Sequence, residues 1–132
     1  FECKRGGAVM VTRRARVVDK PWGHEEIFAQ TPSYVGKILF IRQGEALSLQ
    51  YHRVKEETLR VLDGTLDLVV GPSPDELETL RLNAGEVFHL GPGTVHRMGA
   101  TSDCRLLEVS TNHLDDVVRL EDRYGRQGTT AP

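Results

Sequence analysis

GEALSLQYHRVKEETLRVLDG, residues 44–64, and GEVFHLGPGTVH, residues 85–96, are the two stretches that decide the fold of this chain. They belong to a region of short runs rich in Val, Ile, Leu, Phe and Thr, which Gly, Pro or Asn interrupts about every eight residues. Helical periodicity is nearly absent there. The pattern predicts eight strands, and that number indicates a barrel or jelly roll. We place the strands at Val35–Arg42, Leu47–His52, Glu57–Leu62, Thr65–Val70, Glu78–Leu82, Val87–Leu90, His96–Ala100 and Arg105–Ser110.

The same two stretches contain side chains suited to binding a metal ion. Gln50 and His52 are two residues apart, so on a strand both point to the same face, here the predicted barrel interior. Glu57 follows after a bend, and His96 arrives from another strand. Two imidazoles, a carboxylate and an amide oxygen suit one divalent ion such as zinc, with manganese, iron, nickel or cobalt as alternatives. A register slip of one residue would turn Glu56 inward in place of Glu57.

Three segments outside the predicted strands have recognisable sequence patterns. Asp63-Gly64 predicts a two-residue hairpin, because a type I′ turn requires positive φ and Asp and Gly tolerate it. Residues 71–76 contain two prolines and predict a polar loop that joins two strands at an exposed edge. Residues 114–120 are compatible with one or two turns of helix or with an irregular crossing.

Four further residues also need an interpretation. His24, His89 and His113 fit no ligand spacing, so we expect them to be structural or exposed. Trp22 lies between Pro and Gly near the start of the chain and is compatible with a lid or dimer contact. We favour a packing role for it, because a single large aromatic side chain near a barrel end covers much apolar surface.

Composition excludes several classes of protein. The chain has 132 residues, of which 39% are hydrophobic and 27% charged, with a net charge of −2, as in one ordinary globular domain. Acidic and basic residues are interspersed, so no concentrated basic face predicts a nucleic-acid partner. The apolar runs are much shorter than the roughly 20 residues of a membrane helix, which predicts no membrane partner. Cys3 and Cys104 form no CxxC pair, which favours a reducing cytoplasm.

The two ends of the chain are predicted to lie outside the domain. Residues 1–9 contain Lys4 and Arg5 with no apolar run after them, so no secretory signal is predicted. Residues 1–16 are interpreted as a leader, partly an upstream or expression-derived remnant, with Met10 a candidate natural start. The single domain is predicted to cover residues 17–126, and residues 127–132 are predicted to form a flexible tail.

The spacing of glycines and ligands resembles the two signature motifs of the cupin superfamily. The first motif begins at Gly44 and continues with five residues, Gln50-x-His52, four residues, Glu57, six residues and Gly64. The second motif runs from Gly85 to His96. Gln50 replaces the first His of that pattern, Gly91 replaces a Pro, and Ala100 stands where Asn is common. The resemblance implies an all-β fold, the double-stranded β-helix or cupin jelly-roll barrel, and a single metal ion.

A narrower resemblance covers nearly all of residues 17–126. It is to the C-terminal isomerase domain of the type II mannose-6-phosphate isomerase and mannose-1-phosphate guanylyltransferase family. The segments that carry it are Pro21-Trp22-Gly23, Leu47–His52 with Glu57, His96-Arg97, Glu108-Val109 and Val118–Arg126. At two positions that the family associates with isomerase activity, the chain has Lys55 in place of Arg and Thr58 in place of His. No segment resembles the nucleotidyltransferase domain of that family, so guanylyl transfer is not implied.

This resemblance implies a metal-dependent interconversion of aldose and ketose phosphates. A base would move a proton between C1 and C2 of the open-chain sugar through an enediolate, with the metal holding both oxygens. Glu108 and Lys37 are the candidate bases, and Lys55 is a third candidate for the catalytic site. Arg119, Arg126 and Arg97 are the candidates for substrate binding, because a guanidinium suits phosphate oxygens.

Alternatives remain open from the sequence. The substitutions at Lys55 and Thr58 are also compatible with a metal-containing cupin that binds a sugar or nucleotide sugar without catalysis. The arginines Arg119 and Arg126 are equally compatible with surface ion pairs to nearby carboxylates. A cupin dioxygenase is a further alternative, which Gln50 in place of His disfavours. Exposed sheet edges often pair, so we also predict a homodimer.

Overall fold

The computed structural model describes residues 2–5 and 8–128, with side chains from residue 11 to residue 128. The strands, in chain order, are β1 (Glu2–Arg5), β2 (Ala8–Val11), β3 (Arg16–Lys20), β4 (Gly23–Gln30), β5 (Val35–Ile41), β6 (Leu49–Tyr51), β7 (Glu57–Asp63), β8 (Thr65–Ser73), β9 (Glu76–Asn83), β10 (Val87–Leu90), β11 (Val95–Ala100), β12 (Cys104–Ser110) and β13 (Val118–Glu121). Within the described residues, no helix is long and apolar enough to cross a membrane. Residues 129–132, where most of the predicted tail falls, lie outside the described part of the chain.

Two antiparallel sheets enclose the interior of the molecule. One has six strands in the order β10-β7-β12-β5-β4-β3, and the other has five in the order β13-β6-β11-β8-β9. Leucine, isoleucine, valine and methionine side chains from both sheets form one buried core, which also contains Trp22. The prediction of an all-β double-stranded β-helix is therefore confirmed, and Trp22 has the packing role favoured above.

Alternation of inward and outward residues explains why these segments form strands. In β12 every second side chain, from Cys104 to Ser110, is buried, and those between are exposed or half-buried. All eight predicted strands are present within a few residues of their predicted ends. Three further strands of the two sheets, β3, β4 and β13, were not predicted. In β4 the inward positions include Glu25, so a charge masks the apolar alternation.

The prediction of a hairpin at Asp63-Gly64 is wrong. The flanking strands β7 and β8 belong to different sheets, so the two residues form the bend between the sheets. Only Gly64 has a positive φ, of 80°, whereas a type I′ turn needs two such residues. A Cβ at Gly64 would lie 2.1 Å from the carbonyl oxygen of Asp103, so this close approach of two backbones requires glycine.

The two other connections are now defined. Strands β8 and β9 extend into the predicted loop and form a hairpin with its turn at residues 74–75, on the edge strand β9 as expected. Pro72 lies where the register shifts between Val70 and Ser73, a bulge in which a missing N–H is tolerated. Residues 114–117 contain no helix, and the chain continues into β13 against β6.

Candidate metal centre

His52, Glu57 and His96 converge inside the barrel. His52 follows β6, Glu57 begins β7 in the facing sheet, and His96 lies in β11. His52 Nε2 is 3.6 Å from Glu57 Oε2, and His96 Nε2 is 3.5 Å from Glu57 Oε1. Potential ligand atoms of the three residues all lie within 4.8 Å of one another. Glu57 is 2% exposed, whereas Glu56 is exposed and pairs with His89, so the register that turns Glu57 inward is the one observed.

The hydrogen bonds of the two histidines leave the ligand atoms facing each other. His52 Nδ1 contacts the carbonyl oxygen of Asp116, and His96 Nδ1 contacts that of Thr94 at 3.0 Å. A carbonyl oxygen only accepts, so both Nδ1 atoms donate, and in the neutral form of each ring the lone pair lies on Nε2. These two Nε2 atoms and Glu57 Oε1 are buried without a hydrogen-bond partner. Such a set of inward lone pairs fits a divalent cation.

Electrostatics also favours the ligand form of His52. Burial lowers its pKa, and the positive charge of Lys55 acts in the same direction against the attraction of Glu57. The ring is therefore neutral at physiological pH and keeps the Nε2 lone pair that a metal ion requires.

Gln50, the fourth predicted ligand, lies on the same face. It is directly opposite His96 in the pairing of β6 with β11, and partners in register point to the same side of a sheet. Its Oε1 accepts a hydrogen bond of 2.8 Å from the hydroxyl of buried Ser48, which orients the amide. Metal binding by Gln50 stays a prediction.

Asp116 organises the loop between His52 and Glu57. Its carboxylate accepts hydrogen bonds from the backbone N–H groups of Arg53, Val54 and Lys55 at 2.7–3.0 Å. Burial opposes the ionisation of Asp116, but these three donors outweigh it and lower its pKa to about 2. Sequence reasoning missed this residue, because no motif links it to a loop about 60 positions earlier.

Lys55 lies between two buried carboxylates. Its Nζ is 2.9 Å from Glu57 Oε2 and donates a hydrogen bond of 3.3 Å to Glu108 Oε2. Burial acts to lower the pKa of Lys55, but Glu108 and Glu57 outweigh it and raise this pKa above its ordinary value. Burial likewise acts against the charged form of Glu108, yet Lys55 and Lys37 lower its pKa. At neutral pH Lys55 is a cation and Glu108 an anion.

Glu108 and Lys55 also line a pocket of about 540 Å³, which includes space open to solvent at its mouth. Five cationic side chains line it against two carboxylates, and Gln50 and His52 of the metal centre reach the same space. The cations are Lys20, Lys37, Lys55, Arg119 and Arg126, and the carboxylates are Glu25 and Glu108. A lining of this composition favours an anionic ligand.

The C-terminal segment brings two arginines to this pocket. Arg119 lies opposite Gln50 in the pairing of β13 with β6, and Arg126 follows one short turn later. The carboxylate of Asp122 accepts two side-chain hydrogen bonds of 3.0 Å from Arg126 and fixes the guanidinium. Tyr124 donates a hydrogen bond to Glu45, which ties the segment to the start of the first motif.

Arg97, predicted to bind substrate, is not brought to the pocket. His96 and Met98 are buried on one face of β11, so alternation turns Arg97 to the opposite face. There it donates hydrogen bonds to the carbonyl oxygens of Leu47 and Glu121. The structure adds Lys20 and Glu25, which the sequence analysis did not identify because their strands were not predicted.

Comparison with known proteins agrees with this geometry. Residues 38–110 match the family model described as a cupin domain. The XanB xanthan biosynthesis protein of Xanthomonas campestris pv. campestris (strain B100) is 30% identical over 116 residues, which are 84% of this chain and 24% of that protein. The mannose-1-phosphate guanylyltransferase ManC of Salmonella typhimurium (strain LT2) is 33% identical over 84% of this chain and 23% of that protein. The chain thus spans about a quarter of the length of these relatives.

Solved structures show the same fold at low sequence identity. KdgF from Halomonas sp. superposes with a TM-score of 0.67 at 20% identity, over 76% of this chain and 88% of that one. Bacillus subtilis oxalate decarboxylase, in a study of its Mn(II) centres, gives a TM-score of 0.68 at 17% identity, over 79% of this chain and 29% of that one. Fold, metal-competent cluster and matching family model agree, and the chain belongs to the cupin family.

Proposed function

We propose that this cupin is a metal-dependent isomerase that interconverts aldose and ketose phosphates. The observation that carries the proposal is one pocket in which Gln50 and His52 of the metal centre meet the buried carboxylate of Glu108. Cationic side chains predominate around it. The distant relationship to mannose-1-phosphate guanylyltransferases supports a sugar phosphate as the ligand. Guanylyl transfer itself is not proposed, because the chain spans only a quarter of those proteins.

The proposed reaction needs an acceptor for a proton on the carbon next to a carbonyl. When bound, a divalent ion supplies the polarisation that makes this proton acidic. Glu108 is the group that takes up the proton and returns it to the neighbouring carbon, because its lowered pKa keeps it ionised at neutral pH. Lys55 does not act as a base, since it is protonated, and it holds Glu108 in place through their hydrogen bond.

His52, Glu57 and His96 are the residues proposed to hold the metal, with Gln50 as the fourth ligand. Zinc is the ion expected first, because two imidazoles and one carboxylate with an open position are a known catalytic zinc set. Manganese, iron, nickel and cobalt remain alternatives, since the same ligands accept them. The cytoplasmic location and the homodimer remain predictions.

The test is isomerisation of mannose 6-phosphate or fructose 6-phosphate by zinc-loaded protein in D₂O, followed by NMR. Turnover should incorporate deuterium at the neighbouring carbon, to which Glu108 delivers the proton after exchange with the solvent. Replacing Glu108 with Gln should lower the rate about 100- to 10,000-fold, because the base is lost while its shape is retained. Metal content should remain that of the unaltered protein.

Glu78→Gln is the matched control, because Glu78 is an exposed carboxylate on the edge strand β9. Its rate and metal content should be unchanged. The absence of turnover and deuterium incorporation across a panel of hexose and pentose phosphates would contradict the isomerase proposal.

The second candidate is a cupin that binds a sugar phosphate or nucleotide sugar without changing it. The ion pairs favour it, because Glu108 is engaged with Lys55 and Lys37 is engaged with Glu25. A non-catalytic module should be stabilised against heat by its ligand, since binding only the folded state raises its stability. Stabilisation without deuterium incorporation would identify this function.

A dioxygenase is the remaining candidate. His52, Glu57 and His96 are two histidines and one carboxylate, the ligand set of non-haem iron oxygenases. Bound iron together with oxygen uptake would favour this function, whereas zinc in the purified protein would exclude it.

A further inference from the structure

Two lysines at one side of the pocket share a single carboxylate. Glu25 Oε1 is 3.4 Å from Lys37 Nζ and 3.9 Å from Lys20 Nζ. The three side chains come from adjacent strands β3, β4 and β5, and each is at most 9% exposed. One negative charge therefore faces two positive charges in a place where water is largely excluded. This arrangement has an excess of positive charge.

The surroundings of Lys20 add to this excess. Burial lowers its pKa, and although Glu25 acts to raise it, the charges of Lys37, Arg126 and Arg119 lower it further. Lys55 shows the opposite balance, since two carboxylates outweigh its burial and raise its pKa. Cations that repel one another in a partly closed space are stabilised by an added anion.

The chemistry of the cluster indicates which anion fits. Arg126 is already oriented by Asp122, so its guanidinium is held in a defined direction at the pocket wall. A planar guanidinium and two ammonium groups provide several donors for a tetrahedral dianion with three acceptor oxygens. A carboxylate has one charge and two oxygens, and would satisfy fewer of them.

We propose that Lys20, Lys37, Arg119 and Arg126 form a subsite for a phosphate monoester dianion, with Lys20 as a specificity-determining residue. The subsite contains none of the proposed metal ligands. The assignment of a sugar phosphate to it rests on the proposed function, and it gives Lys37 the role of a phosphate ligand. It places the phosphate of the sugar at Lys20 and directs the carbonyl end toward His52 and Glu108.

The test is calorimetric titration of zinc-loaded protein with inorganic phosphate, and then with mannose 6-phosphate and glucuronate. Lys20→Gln should weaken binding of inorganic phosphate and of the sugar phosphate roughly tenfold, the loss expected for a hydrogen bond to a charged group. Lys20→Arg should restore most of the affinity. Glucuronate binding should change less, and binding of the sugar phosphate should weaken below about pH 6, where the monoester dianion takes up a proton.

Arg60→Gln is the matched control, because it removes one positive charge from an exposed position of β7. Equal phosphate affinity in Lys20→Gln and Arg60→Gln would overturn the subsite. An equal loss of affinity for glucuronate and for phosphate in Lys20→Gln would also overturn it. Binding is measured without turnover, so the experiments test the phosphate subsite and the isomerase activity independently. Lys20-dependent phosphate binding without isomerisation would refute only the isomerase, whereas isomerisation with Lys20-independent phosphate binding would refute only the subsite.

Discussion

The site has two ends, one at the metal centre and one at the cationic wall of the pocket, and their side chains differ in charge. At the metal end, defined by Gln50, His52, Glu57 and His96, buried ligand atoms of the two histidines and of Glu57 face one another. At the cationic end, defined by Lys20, Lys37, Arg119 and Arg126, the two lysines share one carboxylate, Glu25. On the two proposals above, a cation would complete the first end and an anion the second. A single substrate with a polarisable carbonyl and a phosphate would then occupy both in one orientation.

The two ends also differ in how they are supported. At the metal end, backbone carbonyls of Asp116 and Thr94 fix the two imidazoles. At the cationic end, charged side chains from β3, β4, β5 and the C-terminal segment meet, and Glu25 pairs with Lys20 and Lys37 while Asp122 pairs with Arg126. We therefore expect substitutions at the metal end to have larger effects on the folded protein.

Glu57→Gln should have the largest effect. The only carboxylate in the metal-competent cluster becomes an amide, so metal affinity should fall by more than about 100-fold. Elemental analysis of the purified variant checks this result. Glu56→Gln, in the exposed neighbour, is the control and should retain the metal. Retention of metal by Glu57→Gln would contradict the expectation that substitutions at the metal end have the larger effects.

Asp116→Ala should have an intermediate effect. Three backbone N–H groups lose their acceptor, so we expect a stability loss of about 1–3 kcal/mol in chemical denaturation. Metal affinity should fall about tenfold, because the loop that positions His52 and Lys55 is loosened. Asp115→Ala replaces an exposed neighbour and should change neither quantity. Unchanged metal affinity in Asp116→Ala would show that the metal end does not depend on this support.

Asp122→Asn should have the smallest effect, and it acts at the cationic end. Burial acts to raise the pKa of Asp122, but hydrogen bonds from Arg126 lower it below the ordinary 3.8. The stability from this ionised group is therefore present above about pH 4 and is lost as the pH falls through the lower, folded-state pKa.

The measurement is the melting temperature as a function of pH. Relative to the unaltered chain, Asp122→Asn should lose less than about 1 kcal/mol at pH 7, because the amide oxygen still accepts from Arg126. Its stability should also fall less steeply between about pH 4 and pH 2. Glu121→Gln, an exposed neighbour, should keep the steeper fall. Identical acid profiles for all three proteins would contradict the sign of this shift.

Much of the fold and of the metal end was predictable, because both follow from short-range patterns. The prediction that β7 and β8 pair was wrong because a bend at Gly64 and a hairpin leave similar local signals. Arg97 was predicted to bind substrate because a guanidinium suits phosphate oxygens, but strand alternation turns Arg97 to the face opposite His96. Strand β4 was not predicted because its inward Glu25 breaks the apolar pattern on which strand prediction depends.

The sequence by itself determined the barrel strands and the inward face that Gln50 and His52 share, because alternation with a period of two is a property of any strand. Only the tertiary structure decided that Lys20, Glu25 and Lys37 meet, and that Asp116 closes the loop beside His52. Lys20, Glu25 and Lys37 meet only when three neighbouring strands pair, and Asp116 lies about 60 positions from the loop that it closes. No local sequence pattern records either set of contacts. The residues of the metal end therefore lie in two sequence motifs, whereas those of the cationic end come together only in the folded chain.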